Sequence, residues 1–329
     1  MAFIGVRLGN ETQFSPADIQ GLARFAEGLG YQEVWMTEGA GRDSLSQLAS
    51  IATATSRIVV GTGILPIYSR TPLVTAMSAA GLASVSGGRF ILGLGVGNRP
   101  ATETGHGVRF SRPLDRLREM IYIVRRLLQG EEVTFRGKAL HVTEASLGDA
   151  APKEKVPIYI AALGPRMLRL AGEMADGVLL SWAASSYLKE AIRQVREGAV
   201  SAGRDPDDVV ISGYVRVAVT NDLEAGRIAL QNQVARYAGS THYSNFFRFS
   251  GFIQEMNDVE KAQQRSAAAA AISLDMQQEM GLVGNAQECR AGIEELRAMG
   301  LAKPIVAPLP VGDLKTAYEA TMEAMAPAT

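Results

Sequence analysis

Short apolar runs recur through this chain at regular intervals, each followed by a helix-patterned segment, and that repeat leaves few ways to fold. The runs are Phe3 to Leu8, Glu33 to Met36, Arg57 to Thr62, the run beginning at Phe90, Val156 to Ala161, Gly177 to Ser181, Val209 to Val219 and Lys303 to Ala307. They lack the polar and apolar alternation of a half-solvated strand, so they read as parallel strands buried on both faces. Helix starts stand between them. Ser15-Pro16-Ala17-Asp18, Asp43 and Thr71-Pro72 supply a cap, a proline in the first turn or both, and Gly30 and Gly203 end helices. The count of eight strands and eight helices predicts an α/β fold, a closed (β/α)8 TIM barrel. Two segments fall outside the repeat. Glu132 to Val142 alternates around Arg136-Gly137-Lys138 and predicts a hairpin insertion at about 131–143, and an alanine-rich helical insertion without a strand is expected at about 222–283. Residues 1–329 are therefore expected to form one barrel domain carrying two insertions.

Composition removes several function classes. Lysine and arginine total 33 against 34 acidic residues and no long basic run stands out, which excludes a nucleic-acid partner. The single cysteine, Cys289, sits in a helical pattern from Asn285 to Met299 without a nearby histidine and reads as a partly buried thiol in a reducing compartment. No apolar stretch reaches the roughly 18–20 residues of a membrane span, and the start of the chain lacks a basic leader, so a cytoplasmic protein with no membrane partner is expected. His106, His141 and His242 are scattered without ligand spacing, which predicts no metal. There is no Gly-x-Ser-x-Gly elbow and no Cys/His pairing. The segment Ser111 to Leu128 places four arginines around an apolar stripe and reads as a solvated outer helix.

In a barrel, the chemistry lies at the carboxyl ends of the strands. That rule selects Arg7 and Asn10, Glu38, Ile64 to Arg70, Asn98 and Arg99, Leu163 to Met167, and Trp182. Glu38 is the acid among the early strand ends; it either moves a proton or serves as a capping or arginine-paired carboxylate, for instance with Arg42. Gly164-Pro165-Arg166 follows a strand and opens a helix, where backbone N–H groups and an arginine favour an anion, although a plain helix start uses the same residues. Gly93, Gly95 and Gly97 let backbone approach something closely, but their spacing departs from Gly-x-Gly-x-x-Gly and no helix begins directly after them.

The segment Ser86-Gly87-Gly88-Arg89-Phe90-Ile91-Leu92-Gly93-Leu94-Gly95-Val96-Gly97, with Gly61-Thr62-Gly63-Ile64-Leu65-Pro66 before it, resembles the bacterial luciferase-like family. Ile158 to Ala162, Gly164-Pro165-Arg166 and Ala171-Gly172-Glu173-x-Ala175-Asp176-Gly177 extend the resemblance over essentially the whole chain. It is most similar to the family's deazaflavin branch, the coenzyme F420-dependent oxidoreductases related to methylenetetrahydromethanopterin reductase. The resemblance implies a flavin-type ring across the barrel mouth, with the fourth-strand glycines clearing room beside it. It also implies a non-prolyl cis peptide at Gly63–Ile64, which together with Leu65 supports one ring face, and a phosphate site over Ala162, Leu163, Gly164, Pro165, Arg166 and Met167. Glu38 then occupies the acid position after the second strand and Asn98 the ring-edge position after the fourth; both are the expected catalytic residues. Some members carry His where Gly39 stands and an acid where Asn98 stands. Tyr68, Arg70 and Trp182 are expected on the substrate side. The implied activity is hydride transfer between coenzyme F420 and a small organic substrate in a homodimer. The alternatives are a monooxygenase using reduced FMN and oxygen, and a non-catalytic flavin-binding barrel.

Overall fold

The computed structural model describes residues 3–9, 11–39 and 41–327. Asn10, set beside Arg7 at the end of the first strand, lies outside them. Eight parallel strands form the barrel: Gly5–Leu8, Glu33–Met36, Val59–Thr62, Phe90–Gly95, Ile158–Ala161, Gly177–Leu180, Val210–Val219 and Lys303–Pro308. Each pairs with the next, and the eighth returns to the first with Gly5 opposite Ile305, so the sheet closes. The surrounding helices are Pro16–Gly28, Ser44–Ala54, Pro72–Ser86, Pro113–Leu128, Pro165–Met174, Ser185–Ser201, Ala286–Ala298 and Leu314–Ala324. Their starts follow local chemistry. Ser15 and Asp18 form a reciprocal capping box, as do Asn285 and Glu288, and the side chains of Asp43, Thr71 and Asp313 each accept an N–H of the first turn.

The barrel interior is filled by Trp35, Ile91, Tyr159, Leu179, Tyr214 and Ile305. Large rings from one strand lie over glycine on the next. A side chain at Gly61 would sit 2.7 Å from the Trp35 ring, and one at Gly177 would sit 2.6 Å from the Tyr159 ring. At the amino end of the barrel the buried Glu33 carboxylate accepts from Lys303 Nζ at 2.6 Å and from Trp35 Nε1 at 2.8 Å.

The first insertion contains the antiparallel pair Val133–Arg136 and His141–Ala145. The second corrects an expectation. Its helices, from Leu223–Ala238 to Leu274–Met280, lead into a short strand, Gly281–Gly284, where none was expected. The seventh barrel strand explains it. The sixth strand pairs only with Val210 to Gly213, so the outer half of the seventh would present a bare edge on that side; Gly281–Gly284 covers it, with Arg216 opposite Gly281.

Several residues of the recurring motifs carry architecture. Arg89 donates to the carbonyls of Ile58 at 2.5 Å, Ala52 at 3.0 Å and Thr55 at 3.2 Å, tying the end of one helix to the third strand. Gly172 lets two helices touch, since a side chain there would lie 1.9 Å from the Val195 carbonyl oxygen. Asp176 accepts from the Ile158 N–H at 2.8 Å and pairs with Arg125 at 3.0 Å and Lys155 at 2.5 Å. Burial pushes this carboxyl up, but those three partners outweigh it and hold it below its ordinary value of 3.8. A depressed carboxylate stabilises the fold above its unfolded value and loses that contribution as pH falls through the folded one. Asp176→Asn is therefore expected to cost about 2 kcal/mol at neutral pH and to flatten the acid limb of stability, which urea midpoints at about pH 7 and about pH 3 will measure. An equal loss at both pH values would contradict it.

Candidate functional site

The third strand does not run straight to its end. After Thr62 the chain makes a cis peptide at Gly63–Ile64, as the resemblance implied, and resumes pairing at Leu65–Pro66 against Leu94 and Gly95. Thr62 bridges the gap: its Oγ1 accepts from the Gly93 N–H at 2.8 Å and donates to the Gly93 carbonyl at 3.0 Å. This bulge lies directly against the fourth-strand glycines, of which Gly95 and Gly97 also line the cavity above it. A side chain at Gly93 would lie 1.9 Å from the Thr62 carbonyl oxygen, one at Gly95 would lie 2.9 Å from Ile64, and one at Gly97 would lie 3.1 Å from Pro66. Their first neighbour is thus the protein's own bulge. Gly97 also has φ +68°, the left-handed region that suits glycine.

Above the bulge lies a cavity of about 1150 Å³ at the carboxyl ends of the strands. Glu38 enters it from the second strand. Its Oε1 is 2.5 Å from Arg70 Nη1 and its Oε2 accepts from the Ser44 hydroxyl at 2.9 Å, while Arg70 also reaches Asp43 at 2.6 Å. The arginine partner is therefore Arg70 and not Arg42, whose guanidinium donates instead to the carbonyls of Thr12 and Phe14. Arg42 is taken up by those carbonyls, and Arg70, from the segment after the bulge, is the guanidinium that meets Glu38. Asn98 lines the cavity from the end of the fourth strand, its Oδ1 accepting from Ala101 N at 3.3 Å where the short helix Ala101–Gly105 begins.

Gly63, Ile64, Ala162, Leu163, Gly164 and Met167 also line the cavity. The Pro165–Met174 helix has no side-chain cap at Gly164; Pro165 carries no N–H and the Met167 N–H turns back to the Gly164 carbonyl at 3.0 Å, so the Arg166 N–H is the donor its first turn keeps for a ligand. Leu65, Pro165 and Arg166 stand outside the lining: Leu65 is packed in the core, and the other two are exposed at the helix start. Tyr68 points away, donating to the Ser111 carbonyl at 2.7 Å and packing against Phe110. Trp182 is buried behind the wall, its ring 3.7 Å from the Arg216 guanidinium.

The wall from the seventh strand and the second insertion was not singled out by the sequence. It presents Tyr214, Arg216, Tyr237, His242 and Tyr243, with Arg7 and Ser181 beside them. Burial pushes the Tyr243 phenol up to about 12. Burial acts the same way on Tyr237, but the guanidinium of Arg216, aided by Arg7 and Arg236, holds it below the ordinary tyrosine range. Burial depresses Arg216 itself and His242. The missed signal was the position of Tyr214 and Arg216 in a strand that runs on past its neighbours. Among the described residues there is no cluster of three or more metal-ligating side chains, and no helix is long and apolar enough to cross a membrane.

The family described as luciferase-like monooxygenase matches residues 1–303. The chain is similar to the 5,10-methylenetetrahydromethanopterin reductase of Methanolobus tindarius, 34% identical over 321 residues covering 92% of this chain and 94% of that protein. It is 29% identical over 331 residues to a putative coenzyme F420-dependent oxidoreductase of Mycobacterium tuberculosis, covering 92% and 94% respectively. Among solved structures, the coenzyme F420-dependent tetrahydromethanopterin reductase of Methanopyrus kandleri superposes with a TM-score of 0.84 at 27% identity over 98% of both chains.

Proposed function

The chain belongs to the luciferase-like monooxygenase family, and on that premise we propose that it is an oxidoreductase exchanging a hydride between coenzyme F420 and a small organic substrate. The observation that carries this reading is the cavity itself: about 1150 Å³, bounded by the Gly63–Ile64 bulge on one side and the uncapped helix start at Gly164 on the other. Pockets for drug-sized ligands hold roughly 300–1,000 Å³, so this one has room for a ring and a second molecule against it. The F420-dependent relatives support the cofactor class.

The residues present fit such a group. Gly63 and Ile64, backed from the core by Leu65, would give an apolar buttress for a flat ring, and Asn98 would offer an amide to its edge. Ala162 to Met167 would take the anionic tail, with the positive end of the helix, the Arg166 N–H and the Arg166 guanidinium as its donors. A deazaflavin held there by these residues would supply the hydride chemistry. The protein's share is positioning and proton handling. Glu38, pinned by Arg70 and Ser44, presents a carboxylate that accepts a proton or hydrogen bond from a substrate hydroxyl. Of the residues expected on the substrate side, Arg70 acts there through Glu38 and Trp182 through Arg216, whereas Tyr68 faces Ser111 and Phe110 and takes no part.

Purified protein titrated with F420 and with FMN tests the cofactor class. Micromolar binding of F420 and none of FMN is expected; tight FMN binding alone overturns the assignment. Glu38→Gln keeps the shape and the hydrogen bond to Ser44 but removes the charge. It is expected to lower kcat roughly 30-fold with F420 affinity unchanged within about threefold. Full turnover by this variant would remove Glu38 from proton handling.

A further inference from the structure

The cations of the cavity are not equally matched. Arg70 is spent on Glu38 and Asp43, Arg42 on backbone carbonyls, and Arg7 on Glu11 at 3.6 Å and the Tyr318 hydroxyl at 3.4 Å. Arg216 has no carboxylate partner among the described residues, although it is only 3% exposed. Its Nη1 donates to the carbonyls of Ser181 and Tyr214. Its plane packs 3.7 Å from the Trp182 ring centroid and 5.5 Å from that of Tyr237. Arg7 lies on the same wall and repels it. Burying a guanidinium without an anion is costly, and carbonyls with aromatic faces compensate only part of that cost. A buried charge that faces a cavity and lacks a carboxylate partner among the described residues is a place for a ligand's counter-ion.

We propose that Arg216, with the hydroxyls of Tyr237 and Tyr243 beside it, forms a subsite that binds a carboxylate on the substrate. This rests on taking the cavity as the shared cofactor and substrate site. Guanidinium and carboxylate match as a two-point hydrogen-bonded pair. Tyr243 is fixed by its hydroxyl contact to Ser181 at 2.9 Å, which leaves the wall rigid. The site suits the substrate and not the tail of the cofactor. The tail site at Gly164 opens toward solvent at exposed Pro165 and Arg166, whereas Arg216 is sealed behind by Trp182 and the insertion helices and admits only a compact head group.

Calorimetric titration of F420-loaded protein with matched pairs, benzoate against benzamide and propionate against propionamide, tests this. The carboxylate of each pair is expected to bind about tenfold tighter than its amide, and Arg216→Met is expected to cut that ratio below about twofold while leaving the F420 dissociation constant within about twofold. Equal binding of acid and amide by the natural protein overturns the subsite without any variant. A variant that loses F420 but keeps the carboxylate preference also overturns it, by giving the arginine to the cofactor. Should Arg216→Met not fold, Tyr237→Phe is expected to lower the ratio about threefold, and an unchanged ratio counts against the proposal. Should F420 fail to bind at all, the same pairs titrated into the free protein decide the subsite separately from the cofactor.

Discussion

Gly93→Ala is expected to destabilise the protein by about 3 kcal/mol, and to do so by breaking the bulge that bounds the cavity. The new methyl would stand 1.9 Å from the Thr62 carbonyl oxygen, a backbone atom that cannot rotate away. Relief requires the third strand to move, which strains the paired hydrogen bonds between Thr62 Oγ1 and Gly93 and shifts Ile64 on the cavity wall. Gly21→Ala is the control. It lies within the Pro16–Gly28 helix with open space where the methyl would go, and is expected to gain about 0.5–1 kcal/mol. Urea midpoints of the two variants against the parent measure both effects, and a Gly93→Ala protein as stable as the parent would contradict the packing account.

Lys303→Met is expected to cost about 3 kcal/mol, from the opposite end of the barrel. Glu33 is 1% exposed and its carboxylate is balanced by Lys303 and by the Trp35 indole N–H. Removing the ammonium leaves a buried charge with one neutral donor. Adding Glu33→Gln removes the stranded charge while keeping an acceptor for Trp35, so the double variant is expected to recover about half of the loss. Additive losses would mean that the pair does not act as a unit. Glu33 and Glu38 thus divide the second strand between them, one holding the base of the barrel and the other facing the cavity.

Much of this was legible in the residues. The eight apolar runs could be counted because parallel strands buried on both faces have no polar positions to blur them. The helix starts were legible because Ser15, Asp43 and Thr71 act within one turn. Positions at strand ends, such as Glu38 and Asn98, followed from the fold. Partners did not. The pairing of Glu38 with Arg70 rather than Arg42 is a tertiary contact between residues 32 apart in the chain. The strand Gly281–Gly284 was invisible because four residues with two glycines carry no strand pattern of their own; an uncovered edge on the seventh strand creates it.

The glycines of the fourth strand mark the boundary most clearly. By itself the sequence determined that backbone approaches something closely at Gly93, Gly95 and Gly97, and that this happens at the carboxyl end of a barrel strand, because only local geometry is needed for that. Only the tertiary structure decided what approaches. It is the Thr62–Pro66 bulge, and the same tertiary contacts place Arg216 against Trp182 and Tyr237 on the facing wall. Periodicity is a property of neighbours along the chain, whereas the charge balance of a cavity belongs to residues that meet only when the barrel closes.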